Sequence, residues 1–225
     1  MLDYGETRVI GSPQWGNLSR TYDTGRVYYQ TGKVRLEALM ISQVKIRTDA
    51  YNVPDLGDRI WGTYDVFSKV LRGFSVDAYA LRHSQNKIGG WTGAGTLGTN
   101  TFGARFYGPL PGKVNLSLEG IGQGGHMGPL TQRAFAGFAG LSRRVTFLNR
   151  PLNLSIEYKL VSGTKAGSTN SGTYDQIGAS NHDKFGHQDL IGWRNLRTVR
   201  SVESWSITKT FAWNVMYTEI GRAHV

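Results

Sequence analysis

Five arginines, Arg26, Arg35, Arg105, Arg133 and Arg200, fall at positions that residue alternation assigns to the polar face of strand-like runs. Lys159 joins them, with Glu37, Asp77, Glu119 and Glu157 on the same face. A guanidinium is a permanent cation whose planar fork of donors matches a carboxylate. A lone inward arginine is ordinarily half of a cross-strand ion pair. Several around a confined, low-dielectric passage concentrate anions and repel cations. The acids hold the arginine side chains in place and keep any one position from binding an anion too tightly to release it. The expected chemistry is reversible anion binding along a row of sites, with no bond made or broken.

A second group ends a long polar loop and opens a strand: Asp189, then Gly192-Trp193-Arg194-Asn195. Tryptophan suits a boundary between apolar and wet surroundings. With Asp189, Arg194 and Asn195 beside it, Trp193 reads as part of a mouth. The same loop carries His182, Asp183, His187 and Asp189. Their spacing follows no zinc signature and the flanking loop is rich in Gly and Ser, so a solvated loop is expected, with neither metal nor cofactor. Asp23-Thr24-Gly25 matches the aspartic-protease triplet, but that chemistry needs two carboxylates sharing a proton, and one copy is present. Gly120-x-Gly122-x-Gly124-Gly125 is followed by no helix that would make it a phosphate loop. No nucleophile–base pair stands out, and no enzyme is expected.

The elements that must position these residues are about ten strand-like runs, near the ~9–11 residues of a tilted membrane strand. In residues 152–160, Leu152, Leu154, Ile156, Tyr158 and Leu160 oppose Asn153, Ser155, Glu157 and Lys159. The runs at 34–40, 74–80, 114–120 and 211–217 alternate as cleanly. Residues 131–142 do not, because Phe135 and Phe138 fall on opposite faces. In 197–205 either Arg200 or Glu203 must face the apolar side; Arg200 is expected inward and Glu203 near an end or beside a partner. Short turns are expected near residues 30–33, 71–73, 108–113, 148–151 and 208–209. Long loops are expected at 45–58, 84–96, 124–130 and 161–192. Such alternation fits an antiparallel up-and-down transmembrane β-barrel. Tyr28, Tyr29, Trp61, Phe106, Tyr107, Trp193, Trp205 and Tyr217 are expected as an aromatic girdle against outer-membrane lipid. The alternative is a soluble β-sandwich that binds carbohydrate, with one wet face.

The chain has 225 residues, a net charge of +10 and no cysteine. The absence of cysteine removes disulfide scaffolds and thiolate sites. The positive charge calls for an anionic partner, but its arginines are scattered singly along strands rather than packed on a helix, so nucleic acid is not expected. No apolar run approaches the ~18 residues of a membrane helix.

Lys184-Phe185-Gly186-x-x-Asp189-Leu190-Ile191-Gly192-Trp193-Arg194-Asn195 resembles the signature loop of the alginate export family of outer-membrane β-barrels. A second match, in the right order, runs through Tyr4-Gly5-Glu6-Thr7-Arg8-Val9-Ile10-Gly11, Trp15-Gly16-Asn17 and Arg20-Thr21-Tyr22-Asp23. The resemblance implies a wide barrel of about eighteen strands around an aqueous channel. It implies diffusion of alginate, or another anionic polysaccharide, across the cell outer membrane. Residues 1–218 are then expected to be part of a larger barrel that lacks strands at both ends, with 219–225 as a non-native tail.

Overall fold

The computed structural model describes residues 2–12, 21–88, 95–185 and 191–223, without the side chains of residues 182 and 183. Its strands are β1 (Tyr22–Thr31), β2 (Val34–Lys45), β3 (Val53–Leu71), β4 (Phe74–Ile88), β5 (Gly95–Leu110), β6 (Val114–Met127), β7 (Leu130–Phe147), β8 (Arg150–Val161), β9 (Asn170–Ser171), β10 (Leu196–Ser206) and β11 (Ala212–Gly221). A four-residue helix, α1 (His182–Phe185), lies in the loop after β9. Each long strand pairs antiparallel with its neighbour in sequence, in one sheet of order β1 through β8, then β10 and β11. Only the two-residue β9 departs, pairing parallel with β7. The sandwich alternative is thereby excluded, since one continuous sheet leaves no second layer to cover its apolar face.

That face is open. Leu36, Met40, Trp61, Phe102, Leu118, Phe135, Leu141, Ile156 and Tyr158 are all exposed. On β4 the residues between them in phase, Ser75, Asp77, Tyr79, Leu81 and His83, are buried. Period-two alternation puts successive side chains on opposite faces, and register ties the strands together. Asp77 pairs with Arg105, and Arg105 with Glu119, so all three point the same way.

What covers the inner face is the chain itself. Residues 2–12 form a tight hairpin closed by a bridge from Tyr4 to Ile10. The Gly11 amide donates to the Gly178 carbonyl and the Ser180 amide to the Thr7 carbonyl, at 2.9 Å each. Hairpin and long loop thus make one plug. Leu2, Tyr4, Val9, Ile10, Tyr174, Ala179, Phe185 and Trp193 from the plug share one apolar core with Leu39, Ile41, Ile60, Leu81 and Ile121 from the wall. Across a flat sheet β2 and β7 would stand about 24 Å apart. Yet Tyr4 reaches Glu37 on β2, while Arg8, next to it across the hairpin turn, sits over the Phe138 ring on β7. The sheet therefore curls around the plug.

Turns follow the expected rhythm at one end: residues 32–33, 72–73, 111–113, 148–149 and 207–211. At the other end one expectation fails. Residues 124–130 are not a long loop: β6 continues to Met127, and Gly128-Pro129 alone turns the chain into β7. Glycine is no obstacle to an extended, paired strand. Gly125 (φ 151°) leaves no room for a Cβ, which would lie 1.9 Å from the Gly98 carbonyl oxygen. Similarly, β11 runs on through Glu219, Ile220 and Gly221, paired to Val199, Thr198 and Arg197.

Gly62 on β3 makes the same close approach at φ 148°, with a Cβ placed 2.0 Å from the Ala80 carbonyl oxygen. Gly62→Ala is expected to part β3 from β4 at that point and to lower stability by about 2–3 kcal/mol. The urea midpoint of the folded protein in detergent micelles reads this; an unchanged midpoint would mean that the strands separate there at no cost.

Candidate functional site

Charged residues of the inner face form a band across β1, β2, β4, β5, β6, β8 and β10. Glu37 on β2 receives Arg26 from β1 and Arg35 from its own strand, and the Tyr4 hydroxyl also donates to it. Burial, and then the Glu37 carboxylate, push the Tyr4 hydroxyl above its ordinary pKa. Asp77 lies 3.6 Å from Arg105 and accepts from the Tyr64 hydroxyl at 2.9 Å. Glu119 accepts from Arg8 Nε at 2.6 Å and from the Tyr79 hydroxyl at 2.8 Å. Glu157 accepts from Lys159 Nζ at 2.8 Å and lies 3.6 Å from Arg200. Lys159 is fully buried, and its ammonium also donates to the Lys184 carbonyl and faces the Phe185 ring. Among the described residues one of these clusters, Arg26 and Arg35 on Glu37, holds two cations for one acid.

From the plug, Glu6 bridges two cations. One carboxylate oxygen accepts from Arg105, the other from Arg8 Nη1 at 2.9 Å. Burial works against the Arg8 charge, and Glu119 and Glu6 outweigh it, raising its pKa.

Two cavities adjoin the band. The larger, about 310 Å³, is bordered by Tyr4, Arg26, Arg35, Glu37, Tyr64 and Asp77. The smaller, about 260 Å³, is bordered by Glu6, Arg105, Asn115, Ser117, Ser155 and Glu157. Tyr107 lines both. A larger depression of about 570 Å³ is lined mainly by apolar side chains of the exposed face, Val76, Phe106, Leu118, Tyr158 and Leu160 among them, with Arg105 and Glu119 also on its border.

Nearer the long loops, polar groups clamp the plug to the wall. The His83 ring on β4 contacts Asp175 of the loop at 2.7 Å through Nδ1 and Asp58 of β3 at 2.9 Å through Nε2. Gln123 and Gln132 bond the backbone of Thr173 and Asp175.

Nine of the ten wall residues expected on the polar face are there: Arg26, Arg35, Arg105, Arg200, Lys159, Glu37, Asp77, Glu119 and Glu157. Glu203 is exposed on the outer face of β10, close to the strand end at Ser206. Arg133 corrects the expectation. Its neighbours Gln132 and Ala134 are buried while Arg133 is exposed in phase with Phe135, opposite Gly124. Phe138 is the inward ring of that strand, because the Arg8 guanidinium lies 3.9 Å above it. Tyr28 and Tyr107 also leave the expected girdle, since each ring packs inward against an arginine, Arg35 and Arg105.

The expected mouth divides. Trp193 is buried in the plug, edge-on to Phe185 at 5.1 Å, rather than placed at a wet boundary. Arg194 is exposed and Asn195 half-buried with φ 47°. Asp189 lies outside the described residues, as does His187, and so do the side chains of His182 and Asp183. Among the described residues no group of acids, histidines or cysteines is arranged to hold a metal.

Sequence reading gave no role to Tyr4, Glu6, Arg8, His83 or Asp175. The first three stand in the Tyr-Gly-Glu-x-Arg match, which signals a motif without naming its partners.

Among known families, the one described as Alginate export matches residues 1–224. No curated protein matches the chain.

Proposed function

Because this chain belongs to the alginate export family, we propose that it forms wall and plug of an outer-membrane channel that passes an anionic polysaccharide by diffusion. The observation that carries this reading is the band of inward cations, with Arg26 and Arg35 sharing one acid at the edge of a 310 Å³ cavity. Carboxylates of a polyuronate would exchange with Glu37, where Arg26 and Arg35 share one acid among the described residues, and with Glu157. Each contact is weak because an internal acid competes for it, so the polymer moves from one to the next. No covalent step is involved. The exposed apolar face would meet lipid, and strands of 14–19 residues such as β6 and β3 exceed the ~9–11 needed to cross. The edges of β1 and β11 must be paired within a bilayer, which tolerates no open sheet edge. The short turns would face the periplasm and the long loops the outside.

Planar-bilayer recordings test this. Anions are expected to permeate better than cations, and a tetra-uronate to reduce the current where a neutral tetrasaccharide does not. Arg35→Glu is expected to lower the anion-to-cation permeability ratio at least about twofold. Equal permeability of the wild type to both ions, or equal block by neutral and acidic sugars, would overturn the reading.

A further inference from the structure

The hairpin's carboxylate stands where an acidic sugar would bind. We propose that Arg105 and Arg8 form a carboxylate subsite for the polymer and that Glu6 occupies it in the resting protein as an internal competitor. The proposal rests on the channel reading above and adds a specific site and its occupant.

Glu6 differs from the wall acids. Glu37 and Glu119 are buried and each takes several donors, whereas the Glu6 side chain is half exposed and sits at a hairpin tip. Its two oxygens are spent on two different guanidinium groups, Arg105 and Arg8. Arg8 Nη2 is buried and has no hydrogen-bond partner among the described residues. The subsite therefore has a donor that a glutamate does not fill, while a sugar acid brings ring hydroxyls alongside its carboxylate.

The surroundings suit a sugar. The 260 Å³ cavity beside Glu6 offers Asn115, Ser117, Ser142 and Ser155. Tyr107 lends an aromatic edge, its ring 4.0 Å from the Arg105 guanidinium. Hydroxyl, amide and aromatic groups around one fixed cation provide both hydrogen bonds and anchor for a uronate ring. Glu6 borders this cavity, and its neighbours Tyr4 and Gly5 border the 310 Å³ cavity with Arg26 and Arg35. The two cavities share the Tyr107 ring, and Glu6 and Arg105 line the smaller one. Displacing Glu6 would free the Arg105 subsite one ring away from the cavity of the Arg26–Arg35 cluster, two carboxylate positions in sequence.

Tethering decides which ligands can do this. A carboxylate held on the same chain acts at an effective concentration of roughly millimolar or more. A single free carboxylate competes poorly against it. A polymer that binds the Arg26–Arg35 cluster first presents its next carboxylate to Arg105 at a similar effective concentration, and so displaces Glu6.

The test is oligouronate binding to the folded, detergent-solubilised protein by titration calorimetry, with tetra-mannuronate as acidic probe and cellotetraose as neutral control. Glu6→Gln removes the competing charge at a half-exposed position and is expected to tighten tetra-mannuronate about tenfold, since the site no longer has to be vacated. Glu6→Ala should give a similar gain, and cellotetraose should be unaffected. Adding Arg105→Gln to Glu6→Gln should remove the gain. If tetra-mannuronate binds the wild type but Glu6→Gln and Glu6→Ala leave its affinity within twofold, the subsite is overturned and the channel reading stands. If the gain survives Arg105→Gln, the subsite lies elsewhere and the proposal is again overturned. If the wild type and every variant ignore tetra-mannuronate, the channel reading falls and takes the subsite with it.

Discussion

Glu119→Ala is expected to cost about 3 kcal/mol of stability, near the low end for breaking a buried ion pair. Glu119 and Arg8 face each other with 1 % and 2 % of their side chains exposed, and their contact is 2.6 Å. Without the carboxylate, Arg8 keeps only the half-exposed Glu6, and the Tyr79 hydroxyl loses its acceptor. Tyr79 stacks on Tyr64 at 5.3 Å, and Tyr64 meets the tilted ring of Tyr4 at 4.7 Å, so the disturbance passes along one row of rings to the hairpin. Removing one partner is costly because it strands the other; removing both is cheap. Arg8→Met in the Glu119→Ala background is therefore expected to recover most of the loss. Urea unfolding in detergent micelles measures both. A double variant no more stable than Glu119→Ala alone would show that the pair is not what holds the hairpin.

Glu157→Ala should have an effect of similar size, about 3 kcal/mol, at the Lys159–Arg200 cluster. Glu157 stands between Lys159 at 2.8 Å and Arg200 at 3.6 Å, and cross-strand register sets Arg200 directly opposite it. Its loss leaves a fully buried ammonium without its carboxylate and close to the Arg200 guanidinium. Lys159 also donates to the Lys184 carbonyl and faces Phe185, so the repulsion bears on the loop as well as the wall. The expected signature is a lower urea midpoint together with faster protease cleavage within residues 162–195. Lys159→Met added to Glu157→Ala should restore the midpoint, because an apolar chain of similar length suits the buried position. A midpoint that Glu157→Ala leaves in place would mean that Lys159 is satisfied by the loop carbonyl alone.

The wall was legible because its information is local. A strand such as β8 alternates Leu152, Leu154, Ile156 and Tyr158 against Ser155, Glu157 and Lys159, and period two assigns each residue to a face without knowledge of its neighbours. The reading failed where locality fails. Phe135 and Phe138 contradict each other within β7, and only a cation from the hairpin, Arg8, explains why a ring belongs inside; the error carried Arg133 to the wrong face. Glycines at 124 and 125 read as loop by composition, yet they permit two backbones to approach at φ 151°. Trp193 read as a boundary residue from its type, but the boundary it makes is with Phe185 and the plug core. Glu6, Arg8 and Asp175 stand outside the long strands and carry no periodic signal, and the wall residues they reach lie 92 to 111 residues away.

Those separations also set an order on assembly. Every antiparallel pairing in the wall joins a long strand to the next long strand along, so it can be laid down hairpin by hairpin at small entropic cost. The hairpin at residues 4–10 is made before the strands that hold it: Arg8 meets its acceptor on the wall only when β6 exists, and Thr7 its loop contact only when residue 180 arrives. That segment must wait for the enclosure that will hold it.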